Sequence, residues 1–310
     1  MQLSIIVPCY NEGEVLKETS IKLLSLVDRL IESSKIDNNS IIYFIDDGSK
    51  DSTWSIIEDL ASKHNSIKGI KLSRNRGHQN ALLSGLFTAK GDVLVSIDAD
   101  LQDDTDVIEK MIDEYQNGNE IVYGVRKERN TDTVFKRVTA EGFYKIMYMM
   151  GVDIIFNHAD YRLLSRKAIE HLKNFKEVNL FLRAMVPLIG FKSSSVYYDR
   201  AERFAGESKY PLTKMLSFAW DGITSFSVMP LRIITAMGFL LFFASLVMSI
   251  WVLGIKLFTD SAIPGWASTV LPIYFIGGIQ ILSIGIVGEY IGKIYMETKQ
   301  RPRFIIEKVI

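Results

Sequence analysis

The sequence has one cysteine, Cys9, among 310 residues, which excludes an internal disulfide framework. Its apolar neighbours place that thiol at the end of a buried strand, where it behaves as a small hydrophobe. Net charge is missing too: 36 Lys and Arg balance 36 Asp and Glu. There is therefore no global basic footprint for nucleic acid, and none is expected as a partner. The first residues, Met-Gln-Leu-Ser-Ile-Ile-Val-Pro, lack the basic n-region and cleavage site of a signal peptide. They read as a first strand, so the N-terminal domain is expected in the cytosol. No G-x-G-x-x-G loop follows that strand and no G-x-x-x-x-G-K-[ST] occurs, which speaks against a dinucleotide oxidoreductase or a P-loop NTPase. Phosphate is then expected to be held by a metal and by cationic side chains.

Up to about Val125, short apolar runs alternate with helical patterns. Leu3–Val7, Ile41–Ile45, Ile67–Leu72, Asp92–Ile97 and Ile121–Val125 read as strands. Val15–Ile31, Ser52–Lys63, Gln79–Ala89 and Asp106–Gln116 carry apolar residues at helical spacing. The alternation predicts an α/β domain with a mostly parallel sheet, which binds ligands at the carboxyl ends of its strands. Polar residues fall at those ends: Pro8–Glu12, Asp46–Ser49, Ser73–Gln79, Asp98–Asp100 and Gly124–Arg126. Together they point to one composite site.

The densest of these ends holds Asp98, Asp100, Gln102, Asp103 and Asp104. Side chains alternate along an extended chain, so Asp98 and Asp100 can share a face. Oxygen ligands there suit Mg²⁺ or Mn²⁺ bound together with a substrate's phosphates. The same residues also fit an acidic loop in which Asp103, Asp104 or Thr105 caps the next helix. His78 has two readings as well, a contact to a bound substrate or a cap for the helix beginning at Gln79.

From Phe135 to about Tyr198 the pattern is mixed. Phe143–Met150 reads as an apolar helix, either core or lipid-facing. Asp160–Arg166 follows, then helices near Lys167–Leu172 and Leu180–Leu188 and a strand near Ser193–Tyr198. Arg200–Tyr210 reads as a charged loop. Composition then changes: Ile233–Ile255 and Ala267–Val287 contain no charged residue, and each is long enough to cross a bilayer. Lys209, Lys214 and Arg232 precede them, Lys293, Lys299, Arg301 and Arg303 follow, and the linker holds only Lys256 and Asp260. The positive-inside rule then places both termini in the cytoplasm. The expected organisation is a catalytic domain over 1–210 and an interfacial helix over 211–230. A two-helix hairpin over 231–292 (spans about 233–255 and 267–288) and a tail over 293–310 complete it. Gly277, Gly278, Gly285, Gly288 and Gly292 supply small residues through which a second copy could pack.

Pro8-Cys-Tyr-Asn-Glu12, Asp46-Asp-Gly-Ser49 and Asp98-Ala-Asp-Leu-Gln102 together resemble family 2 glycosyltransferases of the GT-A fold. The closest resemblance is to the polyprenyl-phosphate group that includes dolichol-phosphate mannose synthase. Ser73–Gln79, Asp160–Leu164 and Arg203–Tyr210, followed by two spans, are similar to bacterial bactoprenol-phosphate glucosyltransferases. The resemblance covers essentially the whole chain. It implies a Rossmann-like nucleotide-sugar domain and a membrane-bound, inverting enzyme that places one sugar on polyprenyl (undecaprenyl) phosphate. Glucose from UDP-glucose is the donor it suggests, at the cytoplasmic face of a bacterial inner membrane. The lipid-linked sugar would serve cell-surface glycan modification, and a homo-oligomer fits the same group.

Position by position, the resemblance implies that Pro8, Tyr10, Glu12, Asp46 and Asp47 line the nucleoside pocket. Asp98 would face ribose and metal, Asp100 and Gln102 would ligate Mg²⁺ or Mn²⁺, and Arg126 would meet a phosphate. Arg203, with Arg200, Lys209 and Arg162, would receive the acceptor's phosphate. Asp160 matches the position usually given to a catalytic base. A phosphate monoester, with a second pKa of about 6, is already mostly dianionic at neutral pH. Base, orienter and structural Asp–Arg pair therefore all stay open for Asp160.

Two rivals remain. Processive polysaccharide synthases share the resemblance but carry a Gln-x-x-Arg-Trp motif, and none of Trp54, Trp220, Trp251 and Trp266 follows an arginine. A non-catalytic nucleotide-sugar-binding membrane protein would be expected to lose its metal ligands, yet Asp98, Asp100 and Gln102 are all present.

Overall fold

The apolar runs of the first half fold into alternating elements: β1 (Leu3–Cys9), α1 (Leu16–Glu32), β2 (Ile41–Asp46), α2 (Thr53–Lys63), β3 (Ile67–Leu72), α3 (His78–Thr88), β4 (Val93–Ser96), α4 (Val107–Gln116) and β5 (Ile121–Arg126). Then come β6 (His158–Ser165), α5 (Arg166–Leu172), α6 (Leu182–Leu188), β7 (Ser193–Tyr198), α7 (Met229–Phe258), α8 (Trp266–Thr298) and β8 (Ile306–Val309). The computed structural model describes residues 1–127, 158–178, 180–199, 220, 223–224, 227–258 and 265–310. The expected helix over Phe143–Met150, the loop Arg200–Tyr210 and most of Pro211–Met229 lie outside the described residues. The chain divides into two units: Met1–Lys145 with Asp153–Leu212 and Gln300–Ile310, and Ile146–Val152 with Thr213–Lys299.

The first unit holds an eight-stranded sheet in the order β7-β5-β6-β4-β1-β2-β3-β8. β1, β2, β3 and β4 pair in parallel, as do β5 and β7. β6 enters antiparallel between β4 and β5, and β8 adds antiparallel to β3. Every residue of β1 and β4 is buried, as expected of parallel strands covered by helices on both faces. Each Val, Leu or Ile so buried stabilises the fold by about 1.5–3 kcal/mol relative to exposure. Close cover requires a small residue on α3: a Cβ at Gly85 would sit 2.5 Å from Ile6 Cγ2 and 2.9 Å from Ile45 Cδ1. α5 starts where Ser165 Oγ accepts a hydrogen bond from the Ala168 amide at 3.1 Å.

Two strands depart from the sequence expectation. β6 contains Asp160 and Arg162, charges that a strand between two others does not ordinarily bury. They bury each other's charge by pairing. β8 arises from the segment read as a tail: Ile310 exchanges backbone hydrogen bonds with Gly69, at 3.2 and 3.0 Å. Across this edge Lys71 meets Glu307 at 3.1 Å and Lys308 meets Glu58 at 2.8 Å.

In the second unit, α7 has 30 residues and α8 has 33. Both expose large apolar side chains along their length, including Phe239, Leu240, Ile281 and Ile284. Within α8, Phe275–Thr298 is 24 residues long with mean hydropathy 1.5, enough to cross a membrane by length and composition. The comparable apolar stretch in α7, Met229–Leu241, is shorter. Among the described residues, one helix therefore meets the requirement, where the sequence suggested two.

Candidate active site

Because β1 to β5 run the same way, their carboxyl ends bring the expected polar segments to one edge. β6 runs against them, so its beginning lies at that same edge. The register pairs Ser96 with Arg162, which carries Asp98 beyond β4 and Asp160 at the start of β6 out side by side. His78, the first residue of α3, faces both: its Nε2 lies 3.5 Å from Asp98 Oδ1 and 3.9 Å from Asp160 Oδ2. The helix cap itself is Gly77, so His78 points into the site.

At the end of β2, Asp46 is fully buried and its Oδ1 accepts from the Ser49 amide at 3.1 Å. Its Oδ2 is buried with no partner among the described residues. Asp47 is gripped by two backbone amides, Arg76 N–H at 2.7 Å and Gly77 N–H at 2.9 Å. Burial raises both carboxyls, partly offset by those hydrogen bonds. The turn between them and β3's loop needs Gly48, which has φ +67. A Cβ there would meet the Arg74 and Asn75 backbone at 2.6 Å. From β1, Asn11 donates its amide to Ser49 Oγ at 3.0 Å and Glu12 donates its own to Thr53 Oγ1 at 2.9 Å. Pro8 is buried, while Tyr10 stays exposed beside them.

After β4 the chain folds back at Leu101, whose φ of 57 lies in the left-handed region. That turn lets the Gln102 amide bond Asp100 Oδ1 at 3.2 Å. Burial raises the half-buried Asp98 carboxyl, and the charges of Asp103, Asp160 and Asp100 add to it, with His78 opposing. Among the described residues, no three His, Cys, Asp or Glu side chains form a metal cage. Asp98, Asp100 and Gln102 follow β4 in one short turn, and oxygen donors of this kind are the type that Mg²⁺ and Mn²⁺ take together with a substrate's phosphates.

Neither Asp103 nor Asp104 caps α4, whose N-cap position is Asp106 with no side-chain capping bond; Asp104 Oδ1 accepts from the Asp106 amide at 2.9 Å in the turn before it. Asp103 is buried, and its Oδ1 accepts from Tyr198 Oη at 2.5 Å and from Arg126 Nη2 at 3.0 Å. Burial alone would lower the Arg126 guanidinium, but Asp103 outweighs it and holds Arg126 well above its usual value. The turn carrying Asp100 and Gln102 is thus anchored to β5 and β7.

Asp160 is bound by two guanidinium groups, Arg162 on Oδ1 and Arg183 on Oδ2, the latter at 3.2 Å. Burial alone would raise its carboxyl, but Arg183 and Arg162 outweigh it and hold it well below the usual carboxylate range. Arg162 is 1% exposed and also donates to the Leu182 carbonyl at 3.1 Å. The expectation that Arg162 receives an acceptor phosphate is corrected here: its guanidinium is sealed from solvent and committed to Asp160. Arg200, Arg203 and Lys209 lie outside the described residues. Arg183 and Tyr198 were missed by sequence reasoning, and Asp103 was read there only as a member of the acidic run or a helix cap.

A mixed, mostly parallel sheet with paired carboxylates at the ends of its second and fourth strands defines a GT-A glycosyltransferase domain. The chain belongs to glycosyl transferase family 2, whose model matches residues 4–173. It is 53% identical over 307 residues to the uncharacterized glycosyltransferase YkoT of Bacillus subtilis, covering 98% of this chain and 91% of that protein. It is 40% identical over 310 residues to a prophage bactoprenol glucosyl transferase homolog of Escherichia coli, covering 100% of this chain and 99% of that one. Among solved structures, it is similar to the mannosyltransferase PcManGT from Pyrobaculum calidifontis in complex with GDP-Man and Mn²⁺. That match has a TM-score of 0.47 and 17% identity, covering 94% of this chain and 87% of that one.

Proposed function

We propose that the protein is an inverting glycosyltransferase that moves one sugar from a nucleotide sugar onto polyprenyl (undecaprenyl) phosphate at a membrane surface. The observation that carries this reading is the 40% identity over 310 residues to a bactoprenol glucosyl transferase homolog. That likeness continues past residue 173, where the family domain ends, through the apolar helices. A soluble donor and a lipid acceptor give the long apolar helices a purpose. Glucose from UDP-glucose is the donor this likeness favours. The bacterial inner membrane, with both termini and the catalytic domain on the cytoplasmic side, is the location that fits, and self-association through the glycines of α8 belongs to the same proposal.

In this reading Asp46 and Asp47, with Pro8, Tyr10 and Glu12, shape the nucleoside pocket. The unpaired Asp46 Oδ2 is an acceptor suited to an N–H of the base. A divalent cation held by Asp100 and Gln102, with Asp98 beside it, would neutralise the diphosphate as its bond to the sugar breaks. Arg126, fixed by Asp103 and Tyr198, presents a guanidinium toward the same edge. Arg203, Arg200 and Lys209 are assigned to the acceptor phosphate on resemblance alone.

Asp160 acts as an orienter. A carboxylate held ionised by Arg162 and Arg183 is a weak proton acceptor, and a dianionic phosphate oxygen can attack without giving up a proton. Its place beside Asp98 and His78 lets it fix the sugar's hydroxyls.

The reading is tested by incubating the purified full-length protein with UDP-glucose labelled in the sugar, undecaprenyl phosphate and Mg²⁺ or Mn²⁺. Label is expected in the lipid fraction only when acceptor and metal are both present. Label released as free glucose, with none in lipid, would contradict it.

A further inference from the structure

A cleft of about 400 Å³ lies within the first unit, against the segment that leads into β8. Four cationic side chains line it, Lys173 and Lys176 beyond α5 and Arg301 and Arg303 before β8, with Phe87 and Phe304 among its walls. No carboxylate lines it among the described residues. Two of the four cations are already engaged. Lys173 Nζ lies 2.7 Å from Glu170 Oε1 and 6.0 Å from the centre of the Phe87 ring. Arg303 donates to the Phe175 carbonyl, which fixes the wall it belongs to. Lys176 and Arg301 are exposed and have no hydrogen-bond or ion-pair partner among the described residues. Two exposed cations lining one cleft without a carboxylate of their own repel one another, and an anion placed between them relieves that repulsion.

Position along the chain says which anion. One residue, Lys299, separates the cleft's Gln300 from Thr298, where α8 and its candidate span end. Just past that point Lys299 Nζ stacks back 4.1 Å from the centre of the Tyr295 ring. Tyrosine and basic residues at the end of an apolar helix mark the headgroup level of a bilayer, and basic side chains there attract anionic lipids.

We propose that this cleft binds the anionic headgroup of a membrane phospholipid, separately from the acceptor lipid. The proposal rests on the membrane reading of α8 and not on the identity of the sugar or acceptor. Among the described residues, none of those assigned to transfer lines the cleft.

The test uses the full-length protein in neutral detergent, with lipid retention read by native mass spectrometry. Phosphatidylglycerol is the probe and phosphatidylcholine the zwitterionic control. Wild type is expected to retain phosphatidylglycerol in preference to phosphatidylcholine. The double variant Lys176→Gln, Arg301→Gln should retain it about 30-fold less, the contribution of two basic side chains at an anionic surface. Its thermal unfolding and its glucosyl transfer should match wild type. Equal retention by the variant, or equal retention of phosphatidylcholine, would overturn the proposal. So would displacement by inorganic phosphate alone, which would assign the cleft to a soluble anion. Because retention is measured without donor or acceptor, its failure is distinguishable from failure of the transfer reading.

Discussion

Asp160 shows how the site divides the labour between charge and position. Its two arginines hold it ionised, and it in turn neutralises Arg162, which is almost wholly shielded from water. Replacing it by asparagine leaves a buried guanidinium unpaired, which costs about 3–5 kcal/mol. The pH dependence has a definite sign. A carboxyl lowered in the folded state adds stability above its unfolded pKa of about 3.9, and loses it as pH falls toward the folded value. The stability gap between wild type and Asp160→Asn should therefore be constant near neutrality and shrink below about pH 4. Thermal unfolding at stepped pH measures this, and a gap that widens in acid would refute the pairing. Activity lost by Asp160→Asn should not vary with pH around neutrality if the residue orients rather than accepts a proton.

Asp100 makes a second functional test, because it lies on the turn after β4 and outside the cluster of Asp160, Arg162 and Arg183. Asp100→Ala should fold normally and lose metal-dependent transfer by at least about 100-fold, the scale of removing one group that stabilises developing charge. Wild-type turnover in that variant, measured with and without added Mn²⁺, would remove Asp100 from the metal site. The strand-end carboxylates were legible in the sequence because each follows an apolar run and sits among turn residues. Arg183 was not. It reaches Asp160 from α6, 23 positions away in the chain, and nothing in its local pattern marks it.

At the scale of elements, helices and parallel strands were legible because hydrophobic period decides them. β6 was not, since Asp160-Tyr-Arg-Leu-Leu breaks the apolar run of a central strand. Only the pairing of its charges, a tertiary event, makes its burial tolerable. β8 hid for the opposite reason: Ile306-Glu-Lys-Val309 is short and half charged, as an edge strand often is. Truncation before Ile305 should remove strand pairing from β3 and destabilise the domain by about 2 kcal/mol, the scale of burying one isoleucine. Hydrogen exchange reads it directly, because the Gly69 amide bonds the Ile310 carbonyl at 3.2 Å. Unchanged protection at Gly69 in the truncated chain would show that β8 does not hold the edge. On α3, Gly85→Ala should cost about 1–3 kcal/mol through overpacking against Ile6 and Ile45, and an unchanged melting temperature would contradict that close approach.

For the whole molecule, the decisive property is that a family 2 glycosyltransferase domain and long apolar helices share one chain. Composition announced the helices, but the number of spans follows from chain segments whose local pattern does not fix their depth. The most direct test is the mass of the product. The purified full-length protein would be given undecaprenyl phosphate, Mg²⁺ or Mn²⁺ and a panel of nucleotide sugars, with a chelator control. One new lipid, heavier by a single hexose, formed from one donor and abolished by the chelator, is the expected result. A ladder of successive additions would instead make the protein a processive synthase. No lipid product from any donor, despite measurable nucleotide-sugar binding, would contradict the transfer reading outright.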